Sequence, residues 1–114
     1  METSRRIFSY DEALATFPLV RERTANAVRE VEALASRLGD GLEDDDESVD
    51  SESRFHEIVG RWAKDVESVG CEVKGLWLVD WDSGDGYYCW KYPEPALGHF
   101  HLYDDGFSGR MPIT

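Results

Sequence analysis

The chain has 114 residues, 41% of them hydrophobic and four of them tryptophan, enough for one domain whose core needs neither metal nor disulfide support. Its 24 acidic residues against 12 basic ones give a formal net charge of -12, a field that excludes nucleic acid and anionic membrane surfaces as partners. Lysine occurs only at Lys64, Lys74 and Lys91, with arginine supplying the other bases. Acid excess with scarce lysine suits a protein kept soluble in concentrated salt, where self-repulsion is screened within a few ångströms. The composition therefore points to a cytoplasmic protein of a halophile; the plainer alternative is an ordinary acidic protein with one acidic loop.

The N-terminal SRRIFSY has the look of a twin-arginine export signal. Such a signal needs an uninterrupted apolar stretch after its arginines, and here Asp11 and Glu12 follow at once. Export is rejected on that ground, and no apolar run approaches the length that spans a membrane. Cys71 and Cys89 stand far apart and form no CxxC pair, so their spacing suggests neither a disulfide framework nor a zinc ribbon.

Ser9 followed three residues later by Glu12 is a capping box, and Phe8 just before it is placed as a hydrophobic staple. Phe17, Val20, Ala27, Val31, Leu34 and Leu38 then recur at helical spacings, which predicts a first helix over about 10–38. Pro18 falls inside it, where a kink or early break is expected. The GDG triplet at 39–41 supplies residues tolerant of positive φ and ends the helix. LEDDDESVDSES repels itself and reads as an acidic linker over about 39–50, without the ordered ligand spacing of a calcium loop.

Phe55, Val59, Trp62, Val66 and Val69 form one narrow stripe, predicting a second helix over about 51–69 that Gly70 closes. Two such stripes joined by a loop make an antiparallel helical hairpin. After Gly70 the periodicity changes. CEVKGLWLVDW, GYYCWKY and ALGHFHLY are strand candidates over about 72–103, with DSGDG as the turn between the first two. DWDSGDG is not an EF-hand loop, because its sixth position is Asp85 and its twelfth Lys91. The expected architecture is α+β: a helical hairpin followed by a small antiparallel sheet of about three strands and a tail at 104–114.

The stretches RIFSYDEALATFPLV, GCEVKG, LVDW, CWKYPEP and GHFHLYDDGFSGRMPI together resemble the family known as domain of unknown function 2203. That family's pattern has a Leu-Val-Asp-Phe strand and closes with Cys-Trp, Glu-Pro, Trp-His and Gly-Phe-x-Gly-Arg-x-Pro. The resemblance runs nearly end to end, outside the acidic linker alone; it implies the layout and names no reaction. It places Cys89, Glu94, His101, Asp104 and Arg110 on motif positions. His99 stands where the family commonly has an aromatic residue, Phe100 where it has tryptophan, and Trp77 where it has glycine.

Three site chemistries compete. On a strand His99 and His101 would share a face with Cα atoms roughly 6.5–7 Å apart, and Asp104, Asp105 or Cys89 could complete a metal set. Because His99 lies off the motif, no metal or other cofactor is expected. His101 with Glu94 or Asp104 could form an acid/base pair, yet the only nucleophile is Cys89, whose thiol burial between Tyr88 and Trp90 would make inert. Arg110 could clamp an anion or lock the tail to Glu94 or Asp104.

The leading expectation is an acidic cytoplasmic binding or interaction module without catalysis of its own, with a homodimer through its helices or another protein as partner. The competing expectation is an enzyme or small-ligand-binding protein with a pocket formed by Glu94, His101, Asp104 and Arg110.

Overall fold

A computed structural model describes residues 6–39 and 45–113. Helix α1 spans Tyr10–Gly39 and helix α2 spans Asp45–Val69. The capping box forms as expected: the Glu12 amide donates to Ser9 Oγ at 3.1 Å and the Ser9 amide to Glu12 Oε1 at 2.9 Å. Phe8 is buried, and its amide donates to the Asp82 carbonyl, which ties the entry of α1 to the sheet.

Pro18 does not break α1. It removes the amide that would pair with the Leu14 carbonyl, and both residues lie on the exposed side of the helix, where water can serve that oxygen. α2 begins inside the acidic run, at Asp45, and so takes in residues 45–50 of the stretch expected to be linker. Residues 40–44, the rest of that linker, lie outside the described residues.

The helices run antiparallel, as cross-pairs Arg23–Asp65 and Arg61–Glu30 require. Between them Trp62 donates its indole N–H to Thr24 Oγ1 at 2.8 Å, and Thr24 donates in turn to the Val20 carbonyl, so the buried polar atoms are satisfied. At the end of α2, Gly70 adopts φ 109° and Arg6 donates to the Val69 carbonyl at 2.7 Å. That arginine supplies the cation that the last turn of α2 lacks. Among the described residues, no helix is long and apolar enough to cross a membrane.

The sheet has five strands: β1 Glu72–Gly75, β2 Leu78–Asp82, β3 Tyr87–Lys91, β4 His99–His101 and β5 Met111–Pro112. They lie in chain order and every neighbouring pair is antiparallel. The count exceeds the expected three for two reasons. CEVKGLWLVDW folds back on itself at Leu76–Trp77 into two strands, and the tail contributes β5. Trp77 holds φ 60°, a left-handed conformation that favours glycine. Its ring packs edge-on against Trp62 at 4.9 Å, a contact glycine could not make.

Alternation along the strands gives the sheet two faces. Val79, Trp81, Tyr88 and Trp90 point to the helices, where Phe17 meets the rings of Trp81 and Trp90 at 6.2 and 5.3 Å. Trp81 also donates its indole N–H to Thr16 of α1. The opposite face carries Glu72, Asp80, Asp82, Tyr87, Cys89 and His101, and the chain from 102 to 110 arcs over it before β5 returns to the edge of β4.

Candidate functional site

Register alone brings the outer-face groups together. Asp80 of β2 pairs directly with Cys89 of β3, and His101 of β4 stands diagonally across, two residues from Cys89's partner His99. The ligand-type atoms of Asp80, Cys89 and His101 all lie within 4.8 Å of one another, and all three residues are buried. His101 Nε2 is 2.8 Å from Asp80 Oδ2, and its Nδ1 is 2.8 Å from the Leu102 carbonyl.

That second contact determines the protonation of the pair. A carbonyl can only accept, so Nδ1 carries a proton and donates it. A second proton must then lie between Nε2 and Oδ2. Imidazolium with carboxylate and imidazole with carboxylic acid are two tautomers of the same unit, and its net charge is zero in both. Burial, the largest influence, pushes the Asp80 carboxyl upward, against the opposing pull of Cys89, His101 and Lys74. The Asp80 carboxyl lies within reach of the Cys89 thiol, and its Oδ1 meets no donor in hydrogen-bonding geometry among the described residues. The Cys89 thiol itself is pushed up to about 12 by burial and by the Asp80 charge, so the expected inertness of this cysteine follows.

A cleft of about 390 Å³ opens over this floor, bounded by Lys74, Leu78 and Tyr87 on one side and by residues 103–107 on the other. Lys74 lies 4.2 Å above the Tyr87 ring and 3.1 Å from Glu72, which keeps a cation at one rim. Asp104 and Asp105 place carboxylates at the other. Tyr103 donates to Asp82 Oδ1 at 2.6 Å and pins the start of the arc to β2.

The four residues expected to share one pocket divide in two. His101 and Asp104 line the cleft, whereas Glu94 and Arg110 are outside its lining and hold each other. Arg110 donates through both terminal nitrogens to the Glu94 carboxylate, at 3.0 and 2.7 Å, and stacks 4.1 Å over the Phe107 ring. Burial draws the Glu94 carboxyl upward, but the Arg110 hydrogen bond, the Lys91 amide and the guanidinium charge outweigh it and leave it below its ordinary value. His99 Nδ1 faces Glu94 at 3.9 Å and does not join the Asp80–Cys89–His101 group. The metal set considered from sequence thus loses His99 and the Asp104 or Asp105 oxygen, keeps His101 and Cys89, and gains Asp80. Asp80 went unremarked because LVDW reads as a strand, and only the register with Cys89 reveals its partner.

A model of a family of uncharacterised conserved proteins, domain of unknown function 2203, matches residues 6–113. The chain belongs to this family. No curated protein and no solved structure matches it. In this member of the domain of unknown function 2203, Trp77 holds φ 60°, a backbone region where glycine is at ease and a side chain is strained. Asp80 lies in LVDW, Cys89 in CWKYPEP and His101 in GHFHLYDDGFSGRMPI, so all three floor residues fall in the stretches that carry the resemblance.

Proposed function

We propose that this protein binds a small polar molecule in the cleft over the outer face of its sheet. The observation that carries the reading is the cleft itself: about 390 Å³ in volume, with a floor of three buried chemistry-bearing side chains rather than apolar packing. Tyr87, Tyr103 and Phe107 supply rings for an apolar body, and Asp104 with Asp105 supplies acceptors for donors on the ligand. What favours binding over covalent catalysis is the Cys89 thiol, pushed up to about 12 and so not a nucleophile at neutral pH.

The test is a thermal-shift panel of small amines, amides and heterocycles in concentrated salt. A true ligand at about 100 times its Kd stabilises by roughly 2.7 kcal/mol, and Asp104→Asn, at an exposed position, removes the shift without unfolding the protein. Hits that survive Asp104→Asn and Tyr87→Phe alike would place binding elsewhere. The acid excess supports a cytoplasmic, high-salt setting, and exposed Leu14 and Leu19 on α1 support self-association through the helices. A monomeric mass by light scattering in molar salt would refute the latter.

A further inference from the structure

We propose that Asp80, Cys89 and His101 form a binding site for a divalent transition cation of the zinc class, with the fourth coordination position open to the cleft. This goes beyond ligand binding and does not require any particular occupant of the cleft. Four observations carry it. The carboxylate, thiol and imidazole atoms already lie within 4.8 Å of one another, on three adjacent strands whose register fixes them. A rigid sheet holds such a set more firmly than a loop does.

The donor set is also of the right kind. One sulfur, one imidazole nitrogen and one carboxylate oxygen suit zinc or cobalt(II), and not magnesium or calcium, which take oxygen ligands alone. Catalytic and exchangeable zinc sites characteristically keep three protein ligands and one open position. Here the cleft lies directly over the three.

The surroundings complete the argument. His101 donates Nδ1–H to the Leu102 carbonyl at 2.8 Å, which leaves Nε2 to present its lone pair to a cation; a ligating histidine is ordinarily oriented in this way. Asp80 is 1% exposed, and its Oδ1 makes no hydrogen bond among the described residues, while the carboxyl as a whole feels the Cys89 thiol. Such an atom is costly unless something positive reaches it.

Charge balance removes the usual objection to burying a dication. The empty site is neutral: the Asp80–His101 unit holds two protons and Cys89 holds one. On binding, the cation forms bonds to Nε2, to a carboxylate oxygen and to Sγ. The proton shared by Asp80 and His101 and the thiol proton leave to solvent, and the Nδ1 proton stays. A charge of +2 enters and two protons depart, so the buried site is neutral before and after.

The experiment titrates metal-free protein with cobalt(II) in concentrated salt, followed by zinc. The expected result is a one-to-one complex with intense tetrahedral d–d bands and a thiolate-to-cobalt charge-transfer band, both erased by one equivalent of zinc. Two protons per metal appear in a weakly buffered solution. Cys89→Ser, checked for fold by circular dichroism, abolishes the charge-transfer band and weakens zinc by more than the roughly 10–100-fold that loss of an outer-shell partner costs. Folded wild-type protein that shows no charge-transfer band at one equivalent overturns the proposal. So does a band that persists in Cys89→Ser, which would assign the metal to Cys71 or to another place. Zinc loading without any thermal-shift ligand would refute the small-molecule reading alone, so the two failures are distinguishable.

Discussion

Arg110→Met tests how the tail is held over the sheet. The guanidinium makes two charge-assisted hydrogen bonds to Glu94, at 3.0 and 2.7 Å, from a side chain only 12% exposed to one 24% exposed. Hydrogen bonds to charged groups contribute roughly 1.5–3 kcal/mol each when well formed, and loss of one partner from a fully buried pair costs about 3–5 kcal/mol. Partial exposure of Glu94 lets water reach the carboxylate left behind, so we expect a loss of about 2 kcal/mol. For a domain of this size that lowers Tm by roughly 8 °C.

A cycle with Glu94→Gln isolates the pair, and a coupling of about 1 kcal/mol or more is expected by urea unfolding. The pH dependence supplies a second readout. Glu94 has a folded pKa below its unfolded one, so its contribution is present above the ordinary glutamate range and is lost as pH falls through the depressed folded value. Glu94→Gln should therefore flatten part of the acid limb of stability against pH. Arg110→Met as stable as the wild type, or a coupling near zero, would refute the clasp.

Other outcomes are equally specific. A Cβ added to Gly86 would lie 2.6 Å from both the His101 carbonyl oxygen and the Phe100 ring, so Gly86→Ala should lose about 1–3 kcal/mol by urea unfolding. Trp62→Phe removes the buried donor to Thr24 Oγ1 together with part of the ring, and should lose about 1–3 kcal/mol, most of it recovered in no single Thr24 variant that keeps the hydroxyl. Cys71, buried away from the cleft with its thiol pushed up to about 12 chiefly by desolvation, should react with a thiol reagent at neutral pH only at the rate of unfolding. Modification of Cys71 in the native protein on the timescale of a free thiol would contradict its burial.

The helices were legible because their signals are local. Ser9 and Glu12 are three residues apart, and the stripe from Phe17 through Val31 needs only a period. The start of α2 was not legible because an acidic run reads as self-repelling linker, whereas the helix already begins at Asp45 inside it. The β1–β2 turn was hidden because Trp77, a bulky aromatic, occupies a left-handed position that glycine usually announces.

The site was half legible for a related reason. His101 and Asp104 stood out as chemistry-bearing types, and Glu94 with Arg110 was recognised as an alternative lock. Asp80 was not singled out, because its role depends on strand register: Leu-Val-Asp-Trp reads the same whichever residue of the neighbouring strand lies opposite. Pairing of Asp80 with Cys89, 9 positions apart in a four-residue hairpin turn, converts an unremarkable strand aspartate into the floor of a cleft.

The central claim is that function resides over Asp80, Cys89 and His101 on the helix-distal face of the sheet. Amide chemical-shift mapping with a small polar fragment set, read on the whole chain in concentrated salt, tests it most directly. The account predicts that perturbed resonances gather on β2, β3 and β4 around these three residues and on residues 103–107. Perturbations confined to the outer faces of α1 and α2, with the sheet resonances unmoved, would contradict it.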